Sequence, residues 1–142
     1  AVNDAIGAVD PDVLLSAAVW GIYEDMWSWW TSQGNVDYYQ DSLAMVDEGA
    51  LDVIVPMIYW PLTDPPGGYT DYRTLVEFFA TSVPGDALWA GMKADYGDFG
   101  EIAAEIDVAR EVGAGGVSIF AYSTLVDHDY FDDLGAGPFA GP

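Results

Sequence analysis

The chain has 142 residues, no cysteine, and 24 acidic against three basic side chains, for a net charge of −21. The lack of cysteine removes disulfides, thiolate metal sites and cysteine nucleophiles. The charge repels phosphate backbones and anionic lipid, so nucleic acid is excluded as a partner and anionic membrane surfaces are disfavoured.

Hydrophobic residues make up 51% of the chain, which excludes a disordered protein and supports one domain with its own core across residues 1–142. No apolar run approaches the ~20 residues of a membrane span, so no membrane insertion is expected. No basic stretch precedes an apolar one, so no leader peptide is expected among these residues.

Residues around Val2 to Val9 read as the end of a helix, broken by Asp10 and Pro11. Val13–Trp20 (VLLSAAVW) is the first strand candidate. A long loop follows, with Met26, Trp27, Trp29 and Trp30. That cluster either walls a ligand groove or covers a hydrophobic edge. Val36, Tyr39, Leu43 and Val46 then recur at helical spacing.

Val53–Trp60 (VIVPMIYW) is the second strand. Its near-continuous apolar character fits a parallel sheet covered on both faces. Pro56 cannot donate a ladder hydrogen bond, so a bend or bulge is expected there. The chain leaves this strand through PLTDPPGGYTD, where Gly67 and Gly68 read as a turn. Leu75, Val76 and Phe79 mark a helix that stops before Pro84 and Gly85.

Ala87–Ala94 is the third strand. Ile102, Ile106 and Ala109 mark the next helix, with Glu101 and Glu105 on it. After a turn at Gly113–Gly116, Gly116–Tyr122 is the fourth strand. The run DHDYFDD, with His128 among four aspartates, reads as a hydrated acidic tail. Its spacing does not fit an EF-hand, and no metal or cofactor is expected.

Strands alternating with helices argue for right-handed βαβ units. The expected fold class is α/β, a partial (half) TIM-type barrel with about four parallel strands, adjacent in sequence order, and helices outside. A complete eight-stranded barrel takes ~250 residues.

Ligands of such folds bind at the strand C-termini. Trp20, Tyr23, Tyr59, Trp60 and Tyr122 fall at or just past those ends. Aromatic faces there stack on sugar rings, or simply pack the core. Glycoside hydrolysis needs two facing carboxyl groups. Glu24 and Asp95 are the catalytic candidates, with Asp25, Asp64 and Asp98 able to reach the same end. Among 24 acids, a solvated carboxylate near any strand end is also expected by chance. Lys93, one of three basic residues, closes the third strand and could contact a sugar hydroxyl or form an ion pair.

Dispersed acids with little lysine are the pattern of proteins adapted to molar salt, where a short Debye length screens the repulsion. An ordinary acidic secreted protein is the alternative.

The run Glu48–Trp60, EGALDVIVPMIYW, resembles "EGWLDYIAPQIYW" of the glycosyl-hydrolase-like family ten, bacterial envelope proteins related to α-amylase-type barrels. NVDYYQDSLAMV and GEIAAEIDVAREVGAGGVSIFAYSTL are similar to that family's adjoining helix and its last helix and strand. LSAAVWGIYED resembles an earlier strand end more loosely, and GAGPFAGP the close of the domain. Met57 stands where the family has Gln. The family's acidic run, like "DGIHLDDYFYP", has no counterpart here.

The resemblance implies the C-terminal half of a glycoside-hydrolase-like barrel, extracellular or in the cell envelope. It implies the aromatic side of a polysaccharide-binding cleft, with Trp20, Tyr23, Tyr59, Trp60, Lys93 and Tyr122 on the polysaccharide or oligosaccharide. Catalysis would need a complementing barrel half, so the chain alone is expected to be inactive. Apolar inner faces and open sheet edges lead to the expectation of a homo-oligomer or a complementing half. The alternative is a non-catalytic structural or glycan-binding assembly module. A small acidic α/β domain unrelated to sugar is a third reading.

Overall fold

A computed structural model describes residues 2–62 and 70–140. Asp64, Gly67 and Gly68 lie outside the described residues. The protein is α/β, with a four-stranded all-parallel sheet in the order β1-β2-β3-β4. The strands are β1 (Ser16–Trp20), β2 (Val53–Met57), β3 (Trp89–Lys93) and β4 (Gly116–Phe120). The expected parallel order in sequence is therefore present, and the architecture is consistent with a partial β/α barrel.

The helices are α1 (Val2–Gly7), α2 (Gly34–Tyr38), α3 (Ser42–Asp47), α4 (Tyr72–Ser82), α5 (Phe99–Glu111), α6 (Tyr122–Asp127) and α7 (Tyr130–Ala136). No helix among the described residues is long and apolar enough to cross a membrane.

The core lies on one face of the sheet. Val19, Ile54, Ile58, Leu88, Ala90 and Met92 alternate along the strands and are almost fully buried. They meet Leu75, Val76 and Phe79 of α4 and Ile102, Ile106 and Ala109 of α5. The apolar positions at helical spacing, 102, 106 and 109, supply this contact. Asp71 caps α4 by accepting from Thr74 N (2.7 Å), and Asp98 caps α5 by accepting from Gly100 N (2.8 Å).

The opposite face is largely open. Ala18, Ser118 and Phe120 are exposed; Trp20, Val55, Met57, Tyr59, Trp89 and Lys93 are only partly buried. Strand pairing puts Trp20 level with Met57, Met57 with Gly91, and Gly91 with Ser118. One row higher, Lys93 is level with Phe120. The expectation that VIVPMIYW is covered on both faces is thus corrected, because the helices pack on one side only.

Pro56 neither bends nor bulges β2 against β1, where the register runs unbroken from Ser16↔Val53 to Trp20↔Met57. The effect falls on the other side. Ile58 N donates to Gly91 O (3.0 Å), so alternation aims the position-56 nitrogen at β3 as well. Proline has no hydrogen there. The β2–β3 ladder shrinks to Met57↔Gly91, with an isolated bridge Ile54↔Leu88.

Three local expectations change. The helix over Val36 to Val46 is two short helices, because Tyr39 turns left-handed (φ 54) and Asp41 starts a new cap on Ala44 N. Tyr122 does not end β4 but opens α6. DHDYFDD is not a hydrated tail: α7 runs through it, with Tyr130 and Leu134 buried against the core. Its aspartates occupy the solvent side.

Candidate functional site

A cavity of about 320 Å³ opens at the C-terminal ends of β1 and β2, lined by Trp20, Gly21, Met57, Tyr59 and Trp60. Each wall has a local cause. Trp20 ends β1 with its indole Nε1 donating to Ser32 O (2.8 Å) and its backbone N donating to Gln40 Oε1 (2.6 Å). Its ring tilts against Tyr38 at 4.6 Å. Gly21 must lack a side chain, since a Cβ there would stand 2.3 Å from Met57 O.

Tyr59 leaves β2 on the open face and stacks on Phe120 (5.7 Å, 21°). Burial raises its phenol pKa above the usual value. Trp60 is tied by its carbonyl, which accepts the Tyr96 hydroxyl (3.2 Å). The next turn of chain is pinned where Leu62 N donates to Glu101 of α5.

Lys93 stands beside this wall. Its Nζ lies 4.8 Å from the centroid of the Tyr96 ring, a cation–π contact. Below Tyr96 and Lys93 is an unforeseen feature. Glu105 of α5 is fully buried, and neither carboxyl oxygen has a hydrogen-bond partner of good geometry among the described residues. The buried Tyr72 hydroxyl is equally unpartnered.

Burial pushes the Glu105 pKa up to about 8; the Tyr96 hydroxyl and Lys93 pull it down and Glu101 pushes it up. A carboxyl shifted upward in this way favours its neutral form near pH 7, which lowers the cost of keeping it inside. Burial and then Glu105 raise the Tyr96 phenol far above its ordinary range. A signal was present in the sequence, since position 105 falls on the apolar stripe 102, 106, 109 at i+3 from Ile102.

The structure brings Trp20, Tyr59 and Trp60 into one concavity, with Lys93 adjoining through Tyr96. It places the other candidates elsewhere. The Tyr23 ring stacks on Phe78 of α4 (6.0 Å) and its hydroxyl donates to Asp41 (3.0 Å). Burial and then Asp41 push its pKa up to about 12. Tyr122 is 73% exposed and its ring leans on Phe131 (5.5 Å). Glu24 is half-buried in the β1–α2 loop, its carboxylate accepting from Asn35 Nδ2 (2.7 Å). Asp95 is exposed in the β3–α5 loop. Neither acid lines the cavity.

Of the tryptophan cluster, Trp27 and Trp29 stack on each other at 4.6 Å, and Trp27 meets Phe78 edge-on. Trp30 points away and is 92% exposed. The site can thus offer flat apolar faces with the Lys93 ammonium nearby and, among the described residues, no facing pair of carboxylates in its lining. Compared with family models and with curated proteins, the chain matches none.

Proposed function

We propose that this chain is a carbohydrate-binding part of a glycoside-hydrolase-like barrel and holds a neutral polysaccharide or oligosaccharide. One observation carries the reading: Trp20, Tyr59 and Trp60 converge on one cavity at the strand C-termini. That is where ligands sit in βα folds, and aromatic faces of this kind stack on pyranose rings. The resemblance of EGALDVIVPMIYW to an envelope glycoside-hydrolase-like family supports the same ligand class and an extracellular or envelope setting. Binding of N-acetylglucosamine oligomers, followed by calorimetry in molar KCl, tests it. No heat of binding in the wild-type protein overturns it.

Cleavage by this chain alone is not part of the proposal. Glu24 is engaged with Asn35, and Asp95 stands in solvent outside the cavity. A general acid and its partner must flank one scissile bond. The open face of the sheet supports a further step, that additional strands from a second copy or a complementing half close the barrel there. Sedimentation in molar salt checks this for the isolated chain; a stable monomer would leave the complementing half as the only closure. The bare face also favours the second reading, a non-catalytic assembly module. Association without any glycan affinity would select it.

A further inference from the structure

The loop between β1 and α2 holds its own shape through a dense set of internal hydrogen bonds. The Asp25 carboxylate accepts the backbone N–H groups of Trp27 (3.2 Å), Trp29 (2.9 Å) and Trp30 (2.8 Å). These bonds, Trp29 foremost, hold its carboxyl below the usual range. Asp25 N in turn donates to Gln33 Oε1 (2.7 Å), and Gln33 N donates to Asp37 Oδ2 (2.8 Å). Ser28 (φ 62) and Trp30 (φ 57) both sit in the left-handed region, which bulky residues rarely adopt.

Two of the tryptophans use this frame for packing, as described. Trp30 does not. A strained residue on a braced loop would be expected to turn its indole inward, because burial of a large ring is favourable. Instead the frame holds the ring out in water. Beside it lies a cavity of about 440 Å³ lined by Asp25, Ser28, Trp30, Thr31, Gln33 and Asp37. Its walls are one aromatic face, two hydroxyl side chains, an amide and two carboxylates. Anionic ligands are repelled by the acids and by the net charge of −21. A wholly apolar partner would strip water from the Ser28 and Thr31 hydroxyls and the Gln33 side-chain NH2, which the internal bonds of the loop do not engage. A neutral, hydroxyl-rich ring satisfies both the indole and the polar rim.

The loop is also fastened to the cleft, because Trp20 Nε1 donates to Ser32 O in the same segment. We infer that Trp30 and the polar groups around it form a second sugar subsite, which takes a more distant unit of the polysaccharide held at Trp20, Tyr59 and Trp60. The inference rests on the proposed function of that cleft and extends it to chain-length selectivity.

Calorimetry with a disaccharide and a hexasaccharide of β-1,4-linked N-acetylglucosamine tests it, using the wild type, Trp30→Ala, Trp30→Tyr and Trp60→Ala. Trp30→Ala should weaken the hexasaccharide about fivefold, the scale of one lost aromatic contact, and leave the disaccharide unchanged. Trp30→Tyr should restore most of the loss, and Trp60→Ala should weaken both sugars. An unchanged hexasaccharide affinity in Trp30→Ala, with Trp60→Ala impaired, overturns the subsite while the cleft stands. Equal losses for both sugar lengths in Trp30→Ala also overturn it, because Trp30 then acts on the cleft itself. No binding by the wild type overturns the cleft reading and the subsite with it. Choline titrated in parallel separates a cation site: choline binding that Trp30→Ala abolishes, with sugar affinity intact, overturns the sugar assignment.

Discussion

The carbonyl of Pro56 passes 2.3 Å from the point where a Cβ on Gly91 would stand. Real Cβ atoms do not approach backbone oxygen so closely. The two residues are therefore a matched pair at the thinnest seam of the sheet. Pro56 deprives β2 of a donor toward β3, and Gly91 lets the strands close up around the one remaining register pair. Gly91→Ala should cost about 2 kcal/mol, in the range of overpacking a rigid core. Urea unfolding followed by tryptophan fluorescence measures it. A midpoint equal to wild type would mean that the seam is not under this constraint.

Glu105 makes stability depend on pH with an unusual sign for a carboxylate. Its folded pKa is raised to about 8 from 4.5, so the unfolded chain gives up the proton first. Between those values the native state binds more protons than the unfolded state, and stability falls as pH rises. The effect is fully favourable below the lower pKa and lost above the higher one, with a slope of up to about 1.4 kcal/mol per pH unit. Glu105→Gln keeps the shape and removes the titration. Its stability relative to wild type should climb between about pH 5 and pH 8. A constant difference across that range would assign the buried acid an ordinary pKa. Tyr72, Tyr96, Lys93 and Glu101 face the same group and should move the upper end of this pH window when altered.

A net charge of −21 on one small domain is strongly self-repelling in dilute buffer. Few ion pairs offset it among the described residues: Arg73 with Glu111 (3.0 Å) and Glu77 (3.7 Å), and Arg110 with Asp107 (3.7 Å), all well exposed. Molar KCl shortens the Debye length to about 3 Å and should raise the melting temperature by ~5 °C or more. Calorimetric melts across a salt series check this. A melting temperature that stays flat or falls would remove the salt-adaptation reading.

Trp60→Ala tests the cleft most directly. Its ring lines the cavity while its backbone carbonyl, unaffected by the change, keeps the Tyr96 bond. Glycan affinity should drop by about 1–2 kcal/mol, roughly tenfold. A melt close to wild type would separate lost binding from lost folding. Unchanged affinity would take Trp60 out of the site.

The four strands and their order were legible because buried strands announce themselves as short apolar runs between turn signals. The same logic places Trp20, Tyr59 and Trp60, as aromatics at strand ends. What escaped the sequence depends on long-range contacts. The left-handed turn at Tyr39 shares a loop with Gln40, whose side chain is committed to Trp20 N, twenty residues away. Tyr130 and Leu134 are spaced i,i+4, but four aspartates around them masked the stripe. The spacing puts Glu105 on its helix but does not announce its burial, since periodicity gives the face but not the polarity it will tolerate. Tyr23 sits just past a strand end as Trp20 does, and only the packing of Phe78 decides that it turns toward α4.

Every strand pairs with its neighbour in sequence, Ser16 with Val53 and Trp89 with Gly116. Each pairing therefore closes a short stretch of chain, and the entropic toll of closure grows only slowly with such lengths. Nothing already built must be undone when the next strand arrives. During synthesis the sheet can lengthen one β–α step at a time, with α4 and α5 seating on finished strands as they emerge. A nascent chain of this kind matures like a growing repeat array, protected early on its helical side and last of all along β4.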